Sequence, residues 1–209
     1  DRSPSRGLGD VYKRQALMLP ALNPDSANLT DVLSSSLQAI EGQVNRLSLP
    51  AVKHAVVLLV DGLGAHSLKA RAGHARTLIS AFSKNSVIQS GFPTTTASAI
   101  ASLTTGTTAG QHGLVGYSVL DTGNDRVVNQ LSGWDARLDP ETWQRVPTLF
   151  EQATKRGHTA VAVGAARYRD SGFTRAVLRG ARYAAAGSLA ERLRAAVAVA
   201  GSSDAASIT

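Results

Sequence analysis

Two short segments of this 209-residue sequence carry residue types that a reaction needs. Asp61 stands directly after the aliphatic run Ala55-Val56-Val57-Leu58-Leu59-Val60 and is followed by Gly62-Leu63-Gly64. A carboxylate at the end of a buried strand is rigidly aimed and poorly screened, which suits a hard or borderline cation. Thr94, Thr95 and Thr96 follow Gly91-Phe92-Pro93 and precede the small residues Ala97, Ser98 and Ala99. A hydroxyl at a helix N-terminus lies beside unpaired backbone N–H groups and the positive end of the helix dipole, a place that favours phosphate. Such a hydroxyl becomes a nucleophile when a metal lowers its pKa. Each segment alone also has an ordinary structural use, since Asp caps turns and Thr caps helices.

The elements that position these residues follow from periodicity. Residues 28–40 read as an amphipathic helix, with Leu33, Leu37 and Ile40 at helical spacing. Residues 52–60 read as a near-continuous aliphatic strand of the kind buried on both faces of a parallel sheet. Helical pieces are expected over 65–71 and 74–83, and a second strand over 86–90. Residues 96–105 form a small-residue helix ended by Gly106. A helix over 142–156, a strand over 159–164 and a helix over 188–200 complete the reading. This alternation predicts a parallel α/β sheet. Asp61 and the Thr triplet each close a strand, one crossover apart, so both fall at the carboxyl edge of the sheet. Open α/β sheets bind their ligands there.

Composition sets the outer limits. At 43% hydrophobic and 18% charged, the chain is globular rather than disordered. The absence of Cys excludes a disulfide scaffold, a thiol nucleophile and Cys-based zinc or iron–sulfur sites. The longest apolar runs, 55–60 and 195–200, are too short to cross a membrane. The net charge of +7 invites an anionic partner. Residues 1–15 lack apolar periodicity, however, and Asp10-Val11-Tyr12-Lys13-Arg14-Gln15 resembles a translated sequencing adapter. They are read as a scar ahead of a native segment, residues 16–209, that is cut after Thr209. Without them 18 cations face 13 anions, a net of +5. The cluster Arg167, Arg169, Arg175, Arg179 and Arg182 lacks the aromatic interleaving and motifs of a nucleic-acid binder; solvated helix faces or an anion-attracting mouth explain it.

Taken in order, Val60-Asp61-Gly62-Leu63-Gly64, Phe92-Pro93-Thr94-Thr95-Thr96, Thr105-Gly106 and Gln111-His112-Gly113-Leu114-Val115-Gly116-Tyr117 resemble the type I phosphodiesterase/nucleotide pyrophosphatase family of the alkaline phosphatase superfamily. The likeness runs through residues 52–117. It continues more weakly through Trp134-Asp135 and Ser171-Gly172-Phe173-Thr174. The resemblance implies an alkaline-phosphatase-like parallel sheet sandwiched by helices, incomplete at the C-terminus. The activity it implies is metal-dependent hydrolysis of a phosphodiester or phosphoester. Two divalent cations of the zinc type and a phosphoester or nucleotide-like small-molecule substrate go with that activity, with neither nucleic acid nor a membrane as partner.

Residue by residue, the resemblance makes Asp61 and Thr96 metal ligands and Thr96 the nucleophile. The family's nucleophile lies nine residues before the Thr of the Thr-Gly pair, here Thr105. Thr95, Tyr117 and Asn129 are assigned to the substrate pocket. Tyr117 stands where many members carry an Asn that contacts a phosphate oxygen, and Asn129 offers an alternative amide. The family's further ligands, an Asp-x-x-x-His element, an Asp-His pair and a late His, have no match among His54, His66, His74, His112 and His158. The chain alone is therefore expected to be inactive, with the missing ligands beyond Thr209. His112 is expected to support a turn. A cytoplasmic setting is the expectation, because no secretory leader follows residue 15. The reading of a different class is a metal-free phosphate- or nucleotide-binding α/β module. No Gly-x-Gly-x-x-Gly or phosphate-loop motif supports it.

Overall fold

The computed structural model describes residue 23 and residues 25–83, 86–202 and 206–209. Residues 1–15, expected to be a scar, lie outside the described residues. Helix α1 spans Thr30–Ile40 and buries Leu33 and Leu37, as their spacing requires. Its entry is fixed from both sides. Asn28 Oδ1 accepts the Thr30 N–H at 2.8 Å, and Asp31 Oδ2 accepts the Asn28 N–H at 2.8 Å.

Strand β1 is only His54–Ala55, far shorter than the strand expected over 52–60. The chain then turns into α2 (Ala65–Ala70), a 3-10 turn (Ala72–His74) and α3 (Arg76–Ser80). The strand expected over 86–90 is reduced to a single bridge between Asn28 and Gln89. Helix α4 spans Thr96–Thr105, the bounds expected, and Gly106 ends it in the left-handed conformation at φ 68°. Helix α5 (Ala109–His112) follows, then a hairpin of β2 (Ser118–Asp121) and β3 (Arg126–Asn129). This hairpin was not anticipated.

The helix expected over 142–156 is two helices, α6 (Pro140–Trp143) and α7 (Leu149–Lys155). Pro147 lies between them. It lacks an N–H and disfavours helical geometry at Val146, so one continuous helix cannot form. Thr148 and Glu151 then close a capping box that restarts the chain as α7. Strand β4 is Thr159–Gly164, as expected, followed by α8 (Gly172–Val177), β5 (Arg182–Ala185), α9 (Leu189–Ser202) and β6 (Ser207–Ile208).

The main sheet has the order β1-β6-β4-β5, and every pairing in it is parallel. The expected parallel α/β architecture is thus present. Among the described residues β1 borders β6 alone, and Val57 N–H donates to the Thr209 carbonyl at 2.8 Å just beyond their ladder. Residues 58–60 have no strand beside them among the described residues. Their side chains stay open, Leu58 at 58% exposure.

Of two apolar clusters, the first holds helices to the sheet and the second packs helices and loops against each other. The first joins Leu33, Leu37, Leu103, Leu149, Phe150, Ala153, Ala160 and Ile208. The second joins Ala101, Leu114, Ala176 and Val177, with Trp134 and Trp143 against it. Helix α4 contributes to both, through Leu103 on one side and Ala101 on the other. Two of its buried hydroxyls are satisfied within the helix: Thr104 donates to the Ile100 carbonyl at 3.0 Å and Thr105 to the Ala101 carbonyl at 2.6 Å. Among the described residues no helix is long and apolar enough to cross a membrane.

Candidate active site

The N-terminus of α4 is the best-anchored point of the motif. Thr95 is its N-cap, in extended geometry, and its Oγ1 faces the Ser98 N–H at a long 3.5 Å. Thr96 is the first helical residue. Opposite it, Leu63 N–H closes a turn on the Val60 carbonyl at 3.3 Å, with Gly62 in the left-handed region at φ 75°. That turn carries Asp61 to the helix end.

The two residues meet. Thr96 Oγ1 donates to Asp61 Oδ2 at 3.1 Å. The same oxygen lies 2.9 Å from Tyr117 Oη. A hydroxyl has one proton to give and lone pairs to receive with. With its proton on Asp61, Thr96 is the acceptor and Tyr117 the donor. The result is a three-member chain, Tyr117 to Thr96 to Asp61. It is open to solvent, with Tyr117 45% exposed.

Tyr117 reaches this point through a brace built around His112. The His112 ring is buried, its Nε2 lies 3.0 Å from Ser102 Oγ on α4, and its Nδ1 accepts the Leu114 N–H at 3.1 Å. Burial lowers its pKa to about 4, so the ring is neutral near pH 7 and donates from Nε2. Leu114 is fully buried and fixes the following loop. The Tyr117 carbonyl then accepts the Gln130 N–H at 2.7 Å, which ties it to the end of β3. His112 therefore acts in the turn, as expected. Ser102, its partner, went unnoticed in the sequence, because a Ser in a small-residue helix carries no distinguishing signal.

Not every expected pocket residue joins the group. Asn129 Oδ1 accepts the N–H groups of Leu131 and Ser132, at 2.9 and 3.1 Å, and so shapes the turn after β3. Among the described residues no hydrogen bond links it to Thr96, Asp61 or Tyr117. The remaining histidines are no closer to a ligand set. His54 Nδ1 lies 2.9 Å from Ser207 Oγ, and His158 Nε2 lies 3.3 Å from Glu41 Oε1, which also binds Arg156.

Asp61 and Thr96 offer one carboxylate and one hydroxyl to a cation. Among the described residues there is no group of three or more His, Cys, Asp or Glu arranged to hold a metal ion. Catalytic zinc centres usually draw on three protein ligands. The described residues consequently do not fit a two-ion centre.

A family description of type I phosphodiesterase / nucleotide pyrophosphatase matches residues 55–198, from β1 into α9. The chain belongs to this family. Its members hydrolyse phosphodiester and nucleotide-type substrates and typically depend on divalent metal ions. The parallel sheet flanked by helices accords with the alkaline-phosphatase-like fold that the sequence resemblance implies. Comparisons with curated proteins and with solved structures return no significant match. The span matched in the type I phosphodiesterase family includes Asp61, Thr96 and Tyr117, and also the brace of Ser102 and His112 that sets Tyr117 in place.

Proposed function

We propose that Thr96 is the nucleophile of a phosphodiester or phosphoester hydrolase acting on a nucleotide-like small molecule. The observation that carries this reading is the Thr96 hydroxyl held between Asp61 and Tyr117 at the N-terminus of α4. In the first step the Thr96 oxygen bonds to phosphorus, its proton passes to the Asp61 carboxylate, and the bond to the leaving alcohol breaks. The leaving oxygen takes a proton from solvent. Water then attacks the phosphothreonine and gives up a proton to solvent, while the Asp61 proton returns to the Thr96 oxygen as its bond to phosphorus breaks. Tyr117 donates to the Thr96 oxygen in the resting state, which turns the Thr96 proton toward Asp61. The unpaired N–H groups of the α4 N-terminus face the anionic substrate, where charge stabilisation has the greatest effect.

Divalent cations, zinc first among them, belong to this proposal as the family's cofactor. Asp61 and Thr96 are the ligands this chain offers, and the rest of the set lies outside the described residues. The chain by itself is accordingly proposed to be inactive.

The test uses the longest natural reading frame that contains this chain, loaded with zinc and given a chromogenic phosphodiester. Thr96→Ala is expected to lower kcat by about 1,000-fold or more and Asp61→Asn by about 100-fold or more. Unchanged turnover in either variant overturns the role given to that residue. Binding of phosphate without turnover by the metal-loaded protein favours a binding module instead.

A further inference from the structure

The positive charge of the chain is not evenly spread. Residues 16–165 hold 11 Lys and Arg against 10 Asp and Glu. Residues 166–194 hold seven Arg against Asp170 and Glu191. The excess therefore belongs to the 3-10 turn after β4, helix α8, strand β5 and the start of α9.

That region also lines an open cleft of about 450 Å³ beside β5, an edge strand of the sheet. Clefts that take small ligands run from about 300 to 1,000 Å³. Neither Asp61, Thr96 nor Tyr117 lines it. Arg169, Arg175 and Arg179 do. Arg179 is fully used by the fold. It donates to the carbonyls of Gln144, Val146 and Ala176, and its Nε lies 3.6 Å from Glu151, which balances the charge of that carboxylate. Arg169 and Arg175 are different. Among the described residues neither guanidinium has a hydrogen bond or an ion pair, and the one other acid of the lining, Glu141, is exposed. Two unpaired guanidinium forks against the one unpaired carboxylate of Glu141 leave the cleft net positive and match the several oxygens of a phosphoryl group, which they can bind in pairs.

The other walls suit the rest of such a molecule. Thr174 Oγ1 already accepts from Ser171 Oγ at 3.1 Å, which leaves its own proton to donate. Tyr183 donates its hydroxyl to the Ala165 carbonyl at 2.9 Å, and this fixes its ring as a wall. Leu178 adds partly buried apolar surface.

We propose that this cleft binds a small phosphorylated molecule, with its phosphoryl oxygens on Arg169 and Arg175 and its less polar part against Leu178 and the Tyr183 ring, at a site separate from Thr96. The proposal does not depend on the chain being catalytic.

Calorimetric titration of the chain with AMP tests it, with a single-stranded oligonucleotide as a second probe. The expected result is saturable binding of AMP that weakens by about tenfold or more in the double variant Arg169→Gln/Arg175→Gln. Arg182→Gln, which removes a nearby charge outside the lining, and Thr96→Val are each expected to change AMP binding by less than about twofold. Circular dichroism on every variant confirms that the fold is retained. Failure of AMP to bind at millimolar concentration overturns the proposal, as does equal weakening in Arg182→Gln or loss of binding in Thr96→Val. Tighter binding of the oligonucleotide than of AMP also overturns it, in favour of a nucleic-acid surface.

Discussion

Helix α4 and the segment 56–64 each bring one half of the candidate catalytic pair, and they are built in opposite ways. Helix α4 is wedged between two apolar clusters, and seven of its ten residues are buried. Among the described residues the segment that carries Asp61 has a strand beside it only as far as Val57, which packs against the first cluster, and its other Val and Leu side chains are open to solvent. Thr96 is thus held by the core. Asp61 is held by one turn and by Thr96 itself. A catalytic group is as well positioned as the element beneath it.

The contrast can be broken first at the core. Leu103→Ala on α4 is expected to cost about 2–5 kcal/mol, read from urea denaturation, because the cavity opens in a packed cluster. A cost below about 1 kcal/mol shows that α4 is not the anchor described.

Acid reaches the same brace. His112 has its pKa lowered from 6.5 to about 4 in the fold. The unfolded chain therefore takes up this proton first as pH falls below 6.5. Stability is full above that value and declines down to about pH 4, with a total effect on the order of 2–3 kcal/mol. Urea midpoints measured from pH 7 to 4 follow this, and His112→Gln is expected to flatten the slope in that window.

A smaller effect separates two left-handed glycines. Gly106 ends α4 at φ 68°, and a Cβ there meets Leu149 Cδ1 at 3.3 Å. Gly62 sits at φ 75° with nothing within 4 Å. Both Ala variants carry a backbone cost of about 1 kcal/mol, and Gly106→Ala is expected to exceed Gly62→Ala by a further few tenths. Equal melting temperatures for the two variants would remove the packing difference.

Smallest of all is Leu58→Ala, on the open segment, expected within about 0.5 kcal/mol of the parent. A larger loss means that the segment is covered in solution.

The sequence and the fold part company in an instructive way. The bounds of α4 and β4 were legible because local signals agreed: a Thr cap and a terminal Gly for one, a short aliphatic run after Gly157 for the other. Residues 56–60 carry an equally clear aliphatic run, yet they form no strand beyond β1. Such a run states a preference for burial, and only a neighbouring strand can supply it. The helix expected over 142–156 failed at Pro147, whose missing N–H outweighed the periodicity around it. The β2–β3 hairpin escaped notice although Thr122-Gly123-Asn124-Asp125 is a turn-forming tetrapeptide, because its flanking residues alternate only weakly.

At the site, Asp61 and Thr96 meet as expected, but not at two strand ends: β1 stops at Ala55 and the strand expected over 86–90 is a single bridge, so a turn and a helix cap bring them together. The approach of Tyr117 rested on resemblance alone, and its support by Ser102 and His112 needed the fold. The cleft at Arg169 and Arg175 was legible as charge but not as shape, since its walls come from helices and a strand separated by some forty residues.

One joint ties the hairpin to the loop that follows it. Arg126 binds Asp135 through both terminal nitrogens, at 2.6 and 2.8 Å, and Asp121 through Nε at 3.0 Å. The contact seals the hairpin at its tip-side base, between the turn 122–125 and the strands that lead back to Tyr117. Asn124 Nδ2 donates to the same Asp121 Oδ2 at 2.8 Å, so the turn is tied into the joint as well. One guanidinium thus fastens the hairpin tip to the loop that follows β3.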